Sequence, residues 1–173
     1  MQHTISVLVE NEFGVLARVA GLFSVRGFNI ESLTVAETLD PTVSRITLVT
    51  RGDDAVVDQI EKQLHKLIAV ITVTDYADSQ HVEREMALIK VAAEGAARAE
   101  LMNIVDIFRS KIVDVGPRSF IIEVTGSEEK IKAMIELLRP IGIKEIARTG
   151  RVAMHRGMRV LSTRDEKEKG RAA

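Results

Sequence analysis

The hydrophobic residues of this 173-residue chain follow two periods in turn. An apolar side chain at every second position predicts a strand with one buried face, and apolar side chains at spacings of three and four predict an amphipathic helix. The first half contains six such stretches: strand 3–10, helix 14–26, strand 33–38, strand 44–50, a helix with apolar positions from Val56 to Ile68, and a strand with Ile71 and Val73. The predicted order is strand, helix, strand, strand, helix, strand.

The residues between these stretches support their boundaries. Gly27 is typical of the residue that ends a helix, and Asp40 with Pro41 predicts a tight turn. The two strands on either side of that turn are expected to form a hairpin. Asp53 and Asp54 are both suitable N-cap residues for the second helix.

The second half of the chain repeats the same order. Its six stretches are strand 86–92, helix 98–108, strand 112–115, strand 119–125, a helix that begins after Ser127 and ends at Pro140, and a strand 143–149 that can continue past Gly150 to Met154. Ser127 is a typical N-cap, and Pro140 cannot continue a helix. Two copies of this order predict an α+β fold with two ferredoxin-like βαββαβ domains.

The stretch between the two halves is polar and charged, with the sequence ADSQHVERE at residues 77–85. Such a composition between two periodic blocks is typical of a linker. We therefore predict a first domain over residues 1–77, a linker over residues 78–85 and a second domain over residues 86–157. The apolar pattern then fails, and residues 158–173 are predicted to be a disordered tail.

Composition and charge exclude several classes of protein. Lys and Arg number 24 against 25 Asp and Glu, so the chain lacks the basic excess typical of proteins that bind nucleic acids or anionic membranes. The absence of cysteine excludes disulfides and thiolate chemistry, and it is compatible with a reducing cytoplasm. The N-terminus begins as a strand rather than as a signal peptide, and no run of roughly 18 apolar residues predicts a membrane span. We expect a soluble, cytoplasmic chain.

Motifs for catalysis are absent from the sequence. It contains no GxGxxG after a strand, no GxxxxGK[ST] loop and no GxSxG turn. Its histidines lack the spacing of metal ligands and are predicted to be solvated surface or linker residues; they are His3, His65, His81 and His155. We therefore predict no catalytic residue, no metal site and no cofactor site in this chain.

An RNA-binding interpretation can be rejected from the same sequence. RNA-recognition modules share the predicted order of strands and helices, and RGF at residues 26–28 resembles the start of their aromatic motif. Here, however, RGF falls at the end of a helix and continues with Asn29, Ile30 and Glu31 instead of aromatic residues. With one tyrosine and no tryptophan, the chain also lacks the aromatic platform on which bases stack.

A glycine at the start of the first predicted helix indicates a binding site. Glycine lowers helix propensity by about 1 kcal/mol relative to alanine, but at position 14 it would let a small anion reach the amides of Gly14, Val15 and Leu16. These amides and the positive end of the helix dipole attract a carboxylate. The side-chain carbonyl of Asn11, just before the turn, could accept from an ammonium group. A carboxylate and an ammonium group together indicate an amino acid.

Asn29 and Ile30 follow the other end of the same helix. A helix of about 13 residues is roughly 20 Å long, so these residues cannot reach a ligand at Gly14 within one chain, whereas those of a second copy could. Ile30 is also out of step with Leu33 and Val35, which predicts an irregular start of strand pairing. Local roles stay open as an alternative, because asparagine and glycine are common in turns for conformational reasons.

A family resemblance is carried by four stretches of the sequence: VLVENEFGVLARVAGLFSVRGFNIESLTVAET, SRITLV, IEKQLHKLI and HVEREMALIKV. They resemble the small, regulatory subunits of acetolactate synthase (acetohydroxyacid synthase), and the similarity covers residues 3–157. The resemblance implies an N-terminal ACT domain that dimerises by joining sheets edge to edge, and a C-terminal domain of similar topology. It also implies a place in branched-chain amino-acid biosynthesis.

The resemblance further implies a ligand, a partner and cofactors. Members of this family bind valine at the ACT dimer interface, often with leucine or isoleucine as weaker effectors. They associate with a large catalytic subunit that carries thiamine diphosphate, a divalent metal (Mg²⁺) and FAD, and they raise its activity and confer feedback inhibition. This chain would then be the non-catalytic subunit of an enzyme that converts two pyruvate molecules into 2-acetolactate and CO₂.

Carried over to this chain, the implied effector site has two halves. Its residues would be Asn11 and the amides of Gly14, Val15 and Leu16 from one protomer, with Asn29 and Ile30 from its partner. Phe13 departs from the family, in which many members have proline before the glycine. Two other interpretations stay open: a free-standing ACT-type amino-acid sensor that acts on another enzyme or regulator, and a purely structural scaffold.

Overall fold

Residues 1–161 are described by the computed structural model, and they form nine strands and four helices. The strands are β1 (Gln2–Glu10), β2 (Ile30–Glu37), β3 (Val43–Arg51), β4 (Val70–Asp75), β5 (His81–Ala92), β6 (Lys111–Val115), β7 (Ser119–Gly126), β8 (Ile143–Arg148) and β9 (Val152–His155). The helices are α1 (Val15–Val25), α2 (Asp54–Leu64), α3 (Ala97–Ile107) and α4 (Glu128–Leu138). The predicted order is confirmed in both halves, with β9 as an addition. Most of the predicted tail, residues 162–173, lies outside the described residues.

The chain divides into two compact units. Residues 1–82 and the segment that starts at Arg151 form the first unit, and residues 83–150 form the second. These ranges differ from the predicted domains at two places. β5 begins at His81, inside the predicted linker, because Glu85 in that stretch is buried and ion-paired rather than solvated. The segment from Arg151 onward belongs to the first unit because its polar groups bond to the first sheet.

The first sheet is antiparallel and has the strand order β2-β3-β1-β4. α1 and α2 pack on one of its faces, where the alternating apolar residues of the strands meet the apolar stripes of the helices. The buried core of this unit consists of Ile5, Val7, Val9, Val15, Val19, Phe23, Ile46, Leu48, Val57, Ile60, Leu64, Ala69 and Val70. This core holds the start of α1 in place beside the end of β1.

The helices are short, with 11 residues in each of the four. In the described part of the chain no helix is long and apolar enough to cross a membrane. Asp53 is the N-cap of α2, as predicted, and its carboxylate accepts from the Val56 amide at 2.9 Å. The prediction that the helical pattern continues to Ile68 was wrong: α2 ends at Leu64, and Ile68 is 97% exposed. The chain turns there, with hydrogen bonds between residues three apart, to enter β4.

The segment after Arg151 lies on the other face of the first sheet. Its Arg151 guanidinium donates to Thr4 Oγ1 at 3.1 Å, and Arg45 of β3 donates to the Ala153 carbonyl. We predicted that the last strand could continue past Gly150. Instead the chain breaks at Gly150, where φ is 88°, and forms β9 as a separate strand within the first unit.

The second sheet is also antiparallel, with the order β6-β7-β5-β8. α3 and α4 pack on one face of this sheet. Ser127 caps α4 as predicted and accepts from the Lys130 amide at 3.4 Å. The buried core consists of Ala87, Ile89, Val91, Ala93, Leu101, Ile104, Val105, Phe120, Ile122, Val124, Ile131, Met134 and Leu138. The predicted α+β fold of two βαββαβ units is confirmed.

Candidate functional site

The loop between β1 and α1 places a glycine at the N-cap of α1. Gly14 has φ 80° and ψ −4°, in the left-handed region, and no side chain of the described residues caps the helix. We predicted Gly14 as the first helical residue, but the helix begins at Val15 and Gly14 is the N-cap before it. The left-handed conformation of Gly14 turns the chain into the helix. Gly14 is exposed, and within residues 1–161 no heavy atom beyond its chain neighbours lies within 4 Å of the position that a β-carbon would occupy. The start of α1 is therefore unobstructed.

Backbone amides at this helix start lack a hydrogen-bond acceptor within the described residues. Nothing in residues 1–161 accepts from the amides of Gly14 and Leu16. The third amide of interest, that of Val15, donates to the Glu12 carbonyl at 3.4 Å, which is long for a hydrogen bond. Val15 itself is buried in the core, whereas Leu16 is 42% exposed. Unpaired amides at the start of a helix form a binding site for an anion.

Asn11 is oriented by hydrogen bonds to β2 and to the β2–β3 turn. Its side-chain NH₂ group donates to Glu37 Oε1 at 3.1 Å and to the Pro41 carbonyl at 2.9 Å. Its backbone amide donates to the Thr42 carbonyl at 2.7 Å. Asn11 thus bridges to distant residues instead of forming a local turn, and its side-chain oxygen has no donor among residues 1–161. That oxygen can accept from an ammonium group.

Asn11, Gly14 and the start of α1 form one corner of the first unit. Glu37 is a further residue of this corner, and no sequence pattern predicted it. It is the last residue of β2, it is exposed, and its carboxylate accepts from the Asn11 side chain. A carboxylate at this position supplies negative charge near any ammonium group bound by Asn11. The pattern of the sequence contained no signal for it, because the two residues are 26 positions apart and only the folded sheet brings them together.

A hollow of about 720 Å³ opens beside Asn11. Its wall combines polar residues of the β1–α1 loop and the β2–β3 turn with the apolar residues Ile68, Val70 and Ile71. Gly14 does not line this hollow. Within one chain, the open helix start and the hollow therefore form two neighbouring parts of a corner that is open on one side.

The structure places Asn29 and Ile30 at the opposite end of α1, as expected. Asn29 is exposed, and its carbonyl accepts from Thr50 Oγ1 at 2.7 Å. Ile30 pairs with Thr50, and the register of β2 against β3 shifts between Ile30 and Ser32, which confirms the predicted irregular start of pairing. α1 is about 16 Å long at 1.5 Å per residue. One chain therefore does not bring Asn29 and Ile30 to Gly14.

β2 lies at an edge of the first sheet. No strand within residues 1–161 pairs with its outer side, and Val35 at its centre is 40% exposed. An edge of this kind presents unpaired N–H and C=O groups that can bond to a strand of another chain.

Two of the histidines that we predicted to be solvated are buried. His3 is 2% exposed, and its Nδ1 lies 2.8 Å from Asp75 Oδ2, whereas His155 is 8% exposed. The prediction was wrong for both because β1 and the segment after Arg151 are each covered by other elements of the first unit. In the described ranges no group of three or more His, Asp or Glu residues is arranged to hold a metal ion.

Glu61 of α2 lies near Asp75, and its effect on the stability of the fold is expected to depend on pH. Burial, followed by the negative charge of Asp75, raises the pKa of Glu61 above its ordinary value of 4.5. A carboxyl group with a raised folded pKa destabilises the fold above its unfolded pKa and not below it. We expect Glu61→Gln to increase the free energy of unfolding near pH 7 by less than about 1 kcal/mol, because solvent screens the group. The gain should vanish as the pH falls below 4.5.

Urea unfolding at neutral and at acidic pH measures this difference. Glu100→Gln, which removes an exposed carboxylate from α3, is the control and should show no gain at either pH. An equal gain from Glu61→Gln at both pH values would contradict the explanation by a raised pKa.

The βαββαβ order of the first unit, with both helices on one face of an antiparallel sheet, is that of a domain of the ACT type. Comparison with family models agrees: residues 5–72 match the model described as the AHAS small subunit-like ACT domain, and residues 84–157 match the small subunit of acetolactate synthase. The chain belongs to the family of acetolactate synthase small subunits, the regulatory and non-catalytic part of that enzyme. The resemblance recognised in the sequence is confirmed.

Individual relatives support the same assignment. The chain is 59% identical over 157 residues to "Probable acetolactate synthase small subunit" of Archaeoglobus fulgidus, covering 91% of this chain and 98% of that protein. It is 53% identical over 166 residues to the acetolactate synthase small subunit of Aquifex aeolicus, covering 95% and 86%. The crystal structure of the acetolactate synthase small subunit from Thermotoga maritima matches with a TM-score of 0.84 at 47% identity, covering 91% of this chain and 98% of that one.

Proposed function

We propose that this chain binds valine at the interface of two ACT domains and thereby regulates the large catalytic subunit of acetolactate synthase in branched-chain amino-acid biosynthesis. The observation that carries this proposal is the start of α1, where Gly14 leaves unpaired amides exposed near Asn11. Association with the small subunit raises catalytic activity, and bound valine inhibits it. Leucine and isoleucine act as weaker effectors.

The two charged groups of valine match two kinds of group in the corner: amide donors at the start of α1, and oxygen acceptors on Asn11 and Glu37. The valine carboxylate accepts from the amides of Gly14 and Leu16, and it shares the Val15 amide with the Glu12 carbonyl, whose hydrogen bond to that amide is long at 3.4 Å. The positive end of α1 contributes about 1 kcal/mol. The ammonium group donates to the side-chain oxygen of Asn11 and faces the carboxylate of Glu37. Burial of the isopropyl group contributes about 1.5–3 kcal/mol. Together these terms allow binding at metabolite concentrations.

A second copy of the chain completes this site. Asn29 and Ile30 lie too far from Gly14 in their own chain, so the partner protomer supplies them. The position of β2 at the edge of the first sheet, where no strand of residues 1–161 continues the sheet, supports a dimer in which the two first sheets join edge to edge. A ligand held by residues of two protomers responds to their relative orientation.

Valine regulates only if it favours one arrangement of the dimer over another. A coupling of about 1–3 kcal/mol between valine binding and the state of the catalytic subunit would change the relevant equilibrium about 5- to 150-fold. The catalytic subunit carries thiamine diphosphate, Mg²⁺ and FAD in this proposal, so the chemistry that joins two pyruvate molecules occurs there. This chain contributes binding energy and no reacting group.

A thermal-shift screen of the twenty amino acids tests the proposal. L-valine is expected to raise Tm, with a stabilisation of about 2.7 kcal/mol at about 100 times its Kd. D-valine is the matched control, because it cannot place its ammonium group and side chain together as L-valine does. Stabilisation by none of the amino acids would contradict the proposal and favour a structural scaffold.

Co-purification separates the proposal from a free-standing amino-acid sensor. A tightly bound, thiamine-dependent large subunit is expected to accompany the chain from its native source. Recovery of the chain without such a partner under gentle conditions would favour the sensor.

A further inference from the structure

A separate cavity lies on the face of the first sheet that α1 and α2 leave uncovered. Leu8 points to that face, because its neighbours Val7 and Val9 on β1 pack against the helices. The β2–β3 turn, the first half of β3, Tyr76 and the segment after Arg151 supply the remaining walls. The cavity has a volume of about 470 Å³, which is typical of small-molecule sites. Neither Asn11 nor Gly14 lines it.

Most of the cavity wall is apolar. Leu8 and Tyr76 are buried and form its floor. The exposed side chains of its rim include Leu39, Met154 and Val160. A ligand with an apolar body would remove this rim surface from water, which is the main source of affinity in such sites.

A guanidinium group that has no anionic partner within residues 1–161 lies in this wall. Arg45 is half-buried, and its hydrogen bonds all leave from Nη2, which donates to Tyr76 Oη at 2.6 Å, to Ser6 Oγ at 3.3 Å and to the Ala153 carbonyl. Among residues 1–161 its Nε and Nη1 have no acceptor, and no carboxylate lies within ion-pair distance. A partly buried charge without a counter-charge is unfavourable, so a bound anion would stabilise it.

Arg159 adds a second positive charge to the cavity, and His155 adds a polar ring beside it. Arg159 is exposed and lines the cavity. His155 is 8% exposed, its ring lies 4.7 Å from that of Tyr76, and its Nδ1 is buried with no partner in the described part of the chain. Burial, followed by the charges of Arg159, His81 and Arg45, lowers the pKa of His155. These charges disfavour a cation in the cavity and favour an anion.

Asp40 is the acidic residue of the same wall, and its carboxylate is engaged by Thr42. Its Oδ1 accepts from the Thr42 amide at 2.9 Å and from the Thr42 hydroxyl at 2.7 Å. These hydrogen bonds lower the pKa of Asp40 and hold its carboxylate within the β2–β3 turn. In the residues described, Asp40 forms no ion pair with Arg45 or Arg159, so the excess positive charge of the wall remains.

We propose that this cavity binds a small organic anion, a carboxylate carried on a short aliphatic chain. The carboxylate faces Arg45 and Arg159, and the aliphatic chain packs on Leu8 and Met154. An amino acid is disfavoured because its ammonium group would meet the same positive charges. This second ligand is therefore chemically distinct from the effector at Gly14, and its binding does not depend on the effector site.

Titration of the full chain with hexanoate, followed by NMR signals of the Met154 methyl group and the His155 ring, tests this proposal. Saturable shifts are expected at both residues. 1-Hexanol, which has the same chain length without the charge, should bind at least about tenfold more weakly. Hexanoate should also bind the Gly14→Asp variant with unchanged affinity.

The arginine variants make the test specific. Arg159→Gln is expected to weaken hexanoate binding about threefold without changing Tm, because Arg159 is exposed. Arg45→Gln should weaken it more than tenfold, as expected for a partly desolvated charge. Arg18→Gln, which removes an exposed arginine from α1, is the matched control and should leave binding unchanged.

Several results would overturn the proposal. Equal affinity for hexanoate and 1-hexanol would show that no anion is recognised. Shifts that do not saturate, or that are largest at Asn11 and Gly14, would show that the cavity is not the site. An unchanged affinity of Arg159→Gln for hexanoate would also show that the cavity is not the site, and this result does not require that Arg45→Gln folds.

Discussion

Replacement of Gly14 by aspartate is expected to abolish valine binding while the chain stays folded. The new carboxylate would lie where the carboxylate of valine is proposed to bind, and like charges in contact cost several kcal/mol. This corresponds to a loss of affinity of at least about 100-fold. Calorimetric titration with valine measures the affinity, and thermal unfolding measures the stability of the variant.

The left-handed backbone of Gly14 determines how much stability the variant loses. At φ 80° any residue with a β-carbon is strained, and the expected loss is about 1 kcal/mol. Aspartate is among the residues that tolerate this conformation best, and no neighbouring atom would crowd it. Within the first helical turn, where the sequence pattern placed Gly14, aspartate would instead be favourable.

Gly95 provides a matched control for this experiment. It lies just before α3 in the second unit, has φ 54°, and has nothing in residues 1–161 within 4 Å of its β-carbon position apart from its chain neighbours. Gly95→Asp introduces the same charge and a similar strain, but valine affinity should not change. Undiminished affinity in Gly14→Asp, or an equal loss in both variants, would refute the placement of the effector at Gly14.

Local patterns were sufficient to predict the parts of the fold that depend on neighbouring residues. Alternation identifies β1 because Ile5, Val7 and Val9 all face the helices. The N-cap at Asp53 was predictable because a cap bonds to an amide three residues ahead. The candidate corner was half predictable for the same reason, since Asn11 and Gly14 are three positions apart.

Contacts between distant residues were not predictable from these patterns. Glu37 joins the corner through a bond to Asn11 across 26 positions, and Arg151 bonds to Thr4 across 147 positions. Neither pair has a periodic signal, because the folded topology alone brings the residues together. The short strand β9 was misassigned for this reason: its alternation fits a strand, but nothing local indicates that it packs on the first unit.

A partly buried ion pair in the second unit shows the energetic consequence of such a distant contact. Glu85 of β5 is 6% exposed, and it accepts from Nε and Nη2 of Arg148 on β8, at 2.5 Å and 2.7 Å. The hydrogen bond to Glu85 raises the pKa of Arg148 above its ordinary value. This two-pronged geometry is the strongest arrangement available to arginine and a carboxylate.

Arg148→Met is expected to lower the free energy of unfolding of the second unit by about 3 kcal/mol. Removal of one partner of a buried pair typically costs about 3–5 kcal/mol, because the remaining charge is left buried and unpaired. The lower end applies here because Arg148 is 42% exposed and water can reach the vacated position. Hydrogen exchange in urea, followed at the amides of Ile89 and Ile122 in the core of this unit, measures this change in the free energy of unfolding.

Two further variants decide whether the unpaired charge causes the loss. The double variant Glu85→Leu, Arg148→Met should recover most of the stability, because apolar residues can replace a buried pair at little cost. Lys90→Met removes one partner of an exposed pair on the same two strands, 3.5 Å from Glu145, and should cost less than about 1 kcal/mol. A double variant as unstable as Arg148→Met would show instead that packing around the arginine side chain, and not the charge of Glu85, stabilises this edge of the sheet.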